Sequence, residues 1–151
     1  MFKKILISTD GSELSNQAAD AGIDFARAVG AEIVAVFVAQ PMEAFMGFDG
    51  AAAAYAASYE QDIADQGAKY LSHIAKRAKA AGVQARTSIV TSYNVADGIL
   101  RIADDEHCDL IFMGSHGRSG LSRLVLGSVA ARVVSLARIS TLVFRLKKEE
   151  V

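Results

Sequence analysis

The residues best placed to do chemistry in this 151-residue chain lie in two short polar stretches, each following an apolar run. Gly114-Ser115-His116-Gly117 follows Asp109-Leu-Ile-Phe-Met113, and nine residues further on comes Gly127-Ser128-Val129. Ser8-Thr9-Asp10-Gly11 follows Ile5-Leu-Ile7. Gly114 and Gly117 can take positive φ and let a ligand approach bare main chain. A helix opening at Ser128 leaves its first N–H groups without intrahelical partners, at the positive end of its dipole. Ser128 adds a hydroxyl donor, and Arg118 and Arg123 add charge nearby. Donors of this kind suit an anion, and a di- or triphosphate best. Asp10, at a strand end, could orient such a ligand or hold a magnesium-bound water; its other use is to cap the helix that follows.

The loop is neither Gly-x-x-x-x-Gly-Lys-Ser/Thr nor Gly-x-Gly-x-x-Gly. Gly-x-x-Gly also clamps RNA in KH-type modules, but here it follows a buried apolar run in a chain without a strongly basic face. On spacing alone the glycines could also do no more than make tight turns. Ser115 and His116 invite a nucleophile-and-base reading. Adjacent residues do not usually aim at one another, however, and no orienting carboxylate is evident, so no catalytic residue is assigned. His73 and His107 read as helical residues at the surface or half-buried. With no paired His/Asp/Glu spacing, no dedicated metal site is expected. Cys108 reads as an inert buried thiol.

These stretches need a scaffold, and hydrophobic patterning supplies one. Lys3–Thr9, Glu32–Val38, Val83–Thr91, Asp109–Met113 and Thr141–Leu146 are short apolar runs of strand type. Between them lie helical periods. Ser12 or a neighbour caps a first helix stopped by Gly30, and Tyr59–Ala81 forms a second, stopped by Gly82. Asn94 caps a third, with Asp97 at its third position and Val95, Ile99, Ile102 and Ala103 facing inward. Ser128–Ala137 forms a fourth. From Met42 to Ser58 the period dissolves, which predicts a mobile crossover with one helical turn through the alanines. A sharper alternative is a lid or partner surface carrying Phe45, Met46 and Phe48. Tyr55, Tyr59 and Tyr70 read as packing or lid residues. Strands alternating with helices predict one α/β domain over residues 1–151, a doubly wound parallel sheet with helices on both faces. Ligands then sit beyond the carboxyl ends of the strands, where strand order reverses. If the first and fourth strands are neighbours, the two polar stretches face one crevice.

Composition bounds the reading. Hydrophobic residues make up 52% and charged residues 22%, as in a globular domain with its own core. A formal net charge of −1 gives no bulk attraction to nucleic acid or an anionic membrane. The single cysteine excludes an internal disulfide and suits a reducing compartment. Ile5-Leu-Ile7 is too short for a signal peptide, and no run approaches the ~18 apolar residues of a membrane span. A cytoplasmic protein is expected.

Gly114-x2-Gly117-x9-Gly127-Ser128 after Asp-Leu-Ile-Phe-Met, with Lys3-Lys-Ile-Leu-Ile-Ser-Thr-Asp-Gly-Ser-Glu at the start, resembles the ATP-binding type of the universal stress protein family. The likeness covers nearly the whole chain. It implies a five-stranded sheet of order 3-2-1-4-5 with ATP between strands one and four, and Mg2+ carried by the nucleotide's phosphates. By matching position, Asp10 and the backbone of Val38 would hold the adenosine end. Gly114, Gly117, Arg118, Gly127, Ser128 and Val129 would hold ribose and phosphates. Ser8, Thr9 and Met113 complete the set. The family's habit of pairing through its last strand implies a homodimer along Thr141, Leu142, Val143, Phe144 and Arg145, which would cover an exposed sheet edge.

The implied function is an ATP-binding stress or regulatory protein whose nucleotide-dependent conformation selects a protein partner. The alternatives are a slow ATPase or phosphotransferase, or a nucleotide-independent dimeric scaffold. Two departures from the family pattern stand out. Ser92-Tyr93-Asn94-Val95 replaces a small-residue-and-proline turn and could narrow the site, and Ser140 stands where proline is common.

Overall fold

The structure, a computed structural model, describes residues 1–42, 51–116 and 125–145, with only the backbone of 51–54. Gly117, Arg118, Arg123, the aromatic stretch Phe45–Phe48, Leu146 and the charged tail lie outside these residues.

The elements run β1 (Lys4–Ser8), α1 (Glu13–Val29), β2 (Glu32–Ala39), α2 (Ala51–Ala80), β3 (Ala85–Thr91), α3 (Val95–Asp105), β4 (Leu110–Gly114), α4 (Ser128–Leu136) and β5 (Ser140–Phe144). The sheet has the expected order β3-β2-β1-β4-β5, and its strands are parallel. Successive residues of β1 serve opposite faces. Ile5 and Ile7 join Ile23, Ile74 and Phe112 under α1 and α2. Leu6 joins Val36, Ile99, Ile111 and Val133 under α3 and α4. That two-sided burial is why β1, β2 and β4 are nearly continuous apolar runs.

Helix ends follow local chemistry. The Ser12 hydroxyl caps α1 by accepting from the Ser15 N–H, and Gly30 closes it with φ 73°. Asn94 caps α3 by accepting from the Asp97 N–H, as expected from sequence. Two expectations are corrected. Helix α2 begins at Ala51, not near Tyr59, so the second half of the 42–58 stretch is helical. Alanine's high helix propensity decides this where no amphipathic period is legible. His107 is not helical: its φ is 54°, in the turn that follows α3.

Candidate functional site

Strand order reverses between β1 and β4, and a cavity of about 340 Å3 opens there beyond their carboxyl ends. Ser8, Thr9, Asp10, Val38, Met113, Gly114, Gly127, Ser128 and Val129, all singled out from sequence, line it. Ser15, Gln40, Val95, Ile99, Ser115, His116 and Ala130 also line it and were not assigned to the site from sequence. Some signal for them existed. Gln40 sits two residues after Val38, hence on the same side of an extended chain, and Val95 and Ile99 are one helical turn apart on the inward face of α3.

The β1–α1 side is a self-supporting polar loop. The Thr9 and Ser15 hydroxyls lie 2.9 Å apart, and the Gly11 N–H donates to Thr9 Oγ1 at 3.1 Å. Asp10 Oδ1 accepts from the Ser12 N–H at 2.9 Å. The carboxylate therefore does local loop work and lines the cavity at once, so the two readings of Asp10 do not exclude each other. Gly11 has φ 78°, and a Cβ there would come within 2.5 Å of the Tyr70 ring.

The opposite side is built on α4. Its N-cap is Gly127, and no side chain caps its first N–H groups. The Gly127 N–H donates to the Ser115 carbonyl at 2.8 Å, which draws the helix start against the end of β4. Gly127 has an ordinary φ of −59°; its glycine is required because a Cβ would lie 2.8 Å from that carbonyl. Gly114 differs from expectation. It is the last residue of β4, paired with Phe144, and lies outside the positive-φ glycines. Continued pairing with β5 keeps it extended.

Ser115 and His116 also differ from expectation, because they do face each other. Ser115 Oγ lies 3.1 Å from His116 Nδ1. His116 Nε2 is buried without a hydrogen-bond partner, and Ser115 is 3% exposed. No carboxylate among the described residues orients the ring, so the pair is not a nucleophile, base and orienter arrangement.

The wall between these sides is apolar. Val38 from β2 and Val95 and Ile99 from α3 form it, beside Met113. The Tyr93 side chain is 69% exposed, so its bulk does not narrow the site. Its carbonyl instead accepts from Gln40 Nε2 at 3.0 Å, which ties the exit of β2 to the entry of α3. Tyr59 donates to the Gln40 carbonyl at 2.7 Å, and Tyr70 packs edge-on against Phe37.

Other singled-out residues lie elsewhere. His73 on α2 contacts Asp20 of α1 at 3.2 Å, beside Arg77 at 3.1 Å from the same oxygen. Cys108 is buried, and burial pushes its thiol up to about 11. Among the described residues no cluster of three or more His, Cys, Asp or Glu could hold a metal ion.

A five-stranded parallel sheet with helices on both faces and a half-polar, half-apolar cleft at its switch point places the chain among the doubly wound α/β proteins. More narrowly, the sequence model of the universal stress protein family matches residues 1–145, and the chain belongs to that family. It is 34% identical over 150 residues to universal stress protein MJ0531 of Methanocaldococcus jannaschii, covering 99% of this chain and 86% of that one. It is 31% identical to universal stress protein YxiE of Bacillus subtilis, covering 96% and 100%. The solved structure of the M. jannaschii protein MJ0577 superposes with a TM-score of 0.83 at 27% identity over 99% of each chain. A universal stress protein solved in complex with cAMP superposes at 0.67, with 25% identity and coverage of 95% and 97%.

Proposed function

We propose that this universal stress protein binds ATP in the β1–β4 cleft and acts as a nucleotide-dependent regulator. One observation carries the reading. A single cavity pairs an apolar wall with the uncapped start of α4, as a nucleotide's base and phosphates require. Its volume of about 340 Å3 falls in the usual range of small-molecule sites, about 300–1,000 Å3. Val38, Val95 and Ile99 offer the base an apolar surface, with the Val38 backbone and Asp10 at its edge. Gly114, Gly127, Ser128 and Val129 offer ribose and phosphates main-chain and hydroxyl donors, and Gly117 and Arg118 join them by sequence match. The binding of cAMP by a relative supports a nucleotide; the family resemblance supports ATP in particular. Mg2+ would arrive on the phosphates, whose oxygens suit a hard cation.

The protein would work in the cytoplasm, and among the described residues no helix is long and apolar enough to cross a membrane. Occupancy of the cleft would set the relation between α4 and the β1–α1 loop, and so select a protein partner.

The test is calorimetric titration of nucleotide-stripped protein with ATP and with cAMP. ATP is expected to bind the more tightly, and Ser128→Ala to cost about 1 kcal/mol of that affinity. Undiminished affinity in Ser128→Ala removes the α4 contact, and preference for cAMP replaces the assigned ligand.

A further inference from the structure

One hydrogen-bond acceptor on the β2 side of this cleft has no work in the fold. Strand β1 ends at Ser8, opposite Val36, and the Thr9 N–H donates to the Val36 carbonyl at 3.0 Å. Main-chain groups alternate sides along a strand, and the Ala39 carbonyl accepts from Ser92 on the β3 side. Val38, two residues past Val36, therefore turns its N–H and carbonyl toward the space beyond the end of β1. Neither is hydrogen-bonded to other main chain there among the described residues. The Val38 side chain points to α3, since its Cγ1 lies 2.6 Å from where a Cβ on Gly98 would sit. Gln40, two residues on, sends its side chain the same way, and its Nε2 donates at 3.0 Å to the carbonyl of Tyr93, just before α3. A carbonyl only accepts, so the amide nitrogen is the end held there and Oε1 is the end left over. The buried unpartnered side-chain atoms among the described residues are Asn16 Oδ1, His116 Nε2 and Thr141 Oγ1. Gln40 Oε1, which accepts no hydrogen bond from them either, is not shut in and stays open to solvent. The residue lines the cavity beside Val38 and Val95.

Resting on the nucleotide reading above, we propose that Gln40 reads the exocyclic group of the bound purine: its Oε1 accepts from the amine of adenine and rejects the carbonyl of a hypoxanthine or guanine base. The amine carries two N–H donors. The Val38 carbonyl can take one, and the Gln40 amide, two residues further along the same strand exit, takes the other. A purine with a carbonyl in place of the amine sets an acceptor against these acceptors. A site built to hydrogen-bond a ligand's N–H discriminates strongly against a ligand that lacks it, because its own polar groups are then left unpaired. The anchor is what makes the amide selective, since a free glutamine offers a donor and an acceptor alike. Turning this one over to offer its nitrogen would set Oε1 against the Tyr93 carbonyl, two acceptors in contact.

The experiment titrates ATP and inosine triphosphate, which exchanges the exocyclic amine for a carbonyl and gains a ring proton, into the nucleotide-stripped full chain by calorimetry. Wild type is compared with Gln40→Met, which keeps the length of the side chain without its amide acceptor, and with Gln40→Glu, which keeps an acceptor oxygen. Melting curves check that each variant folds. Both substitutions remove the tie to Tyr93, so an effect that comes only from the entry of α3 moves both variants alike and both nucleotides alike. The readout is therefore the ratio of the two affinities.

Wild type is expected to prefer ATP. Gln40→Met should lower the ratio of ATP to inosine triphosphate affinity roughly tenfold, and Gln40→Glu should hold it near the wild-type value. Equal affinity of wild type for the two nucleotides, a ratio unchanged in Gln40→Met, or the same fall in Gln40→Glu overturns the role of Gln40 while leaving the nucleotide reading intact. Binding of neither nucleotide by wild type overturns both.

Discussion

Gly127 stands in a motif whose glycines suggest backbone freedom or room for phosphate, yet its backbone angles are open to any residue. The Ser115 carbonyl, 2.8 Å from a would-be Cβ, dictates its identity. Such a close approach joins residues far apart along the loop, so spacing alone does not reveal it. That Asp10, Val38 and Ser128 line one cavity was legible because strand ends and helix starts are read directly from pattern and family likeness. The Ser115–His116 contact was not, because it depends on two side-chain rotamers at the end of β4. Cys108 could be read from its apolar setting. Burial disfavours its thiolate and moves ionisation from 9.0 to about 11. The unfolded chain thus loses this proton first. Stability from the buried thiol is complete below about pH 9 and declines as pH rises toward about 11, by on the order of 2–3 kcal/mol. Alkaline unfolding of wild type and Cys108→Ala should converge over that interval; parallel curves would show that the thiol does not ionise as described.

At the scale of elements, strands and caps were legible to within about two residues, because each strand is an apolar run bounded by turn residues. The start of α2 was not. Ala51–Ala54 carries no apolar stripe, so periodicity was silent while propensity favoured helix. Strand β5 raises a different question. It pairs with β4 on one side and ends the sheet on the other, among the described residues. Leu142 and Phe144 pack inward, which leaves a short edge whose main-chain groups can accept a second copy of the chain. A homodimer along this edge is our proposal for the assembly. Val143→Glu places a charge there and is expected to shift sedimentation from dimer toward monomer with little loss of fold. An unchanged profile would move the interface elsewhere.

For the molecule as a whole, sheet order was legible because few chain paths suit strands alternating with helices, and family likeness selected one of them. That order brings the polar ends of β1 and β4 together, and both loops line one cavity although about 100 residues separate them. Fold and site are thus one arrangement: a switch point that leaves the start of α4 without a side-chain cap opposite a hydrogen-bonded β1–α1 loop. The proposed function has one central consequence, a retained nucleotide. The most direct measurement is to purify the protein without added nucleotide, denature it, and identify what is released by chromatography and mass. ATP in near-stoichiometric amount is the predicted result. Protein that releases no nucleotide, and takes up none when ATP is supplied, would contradict the account.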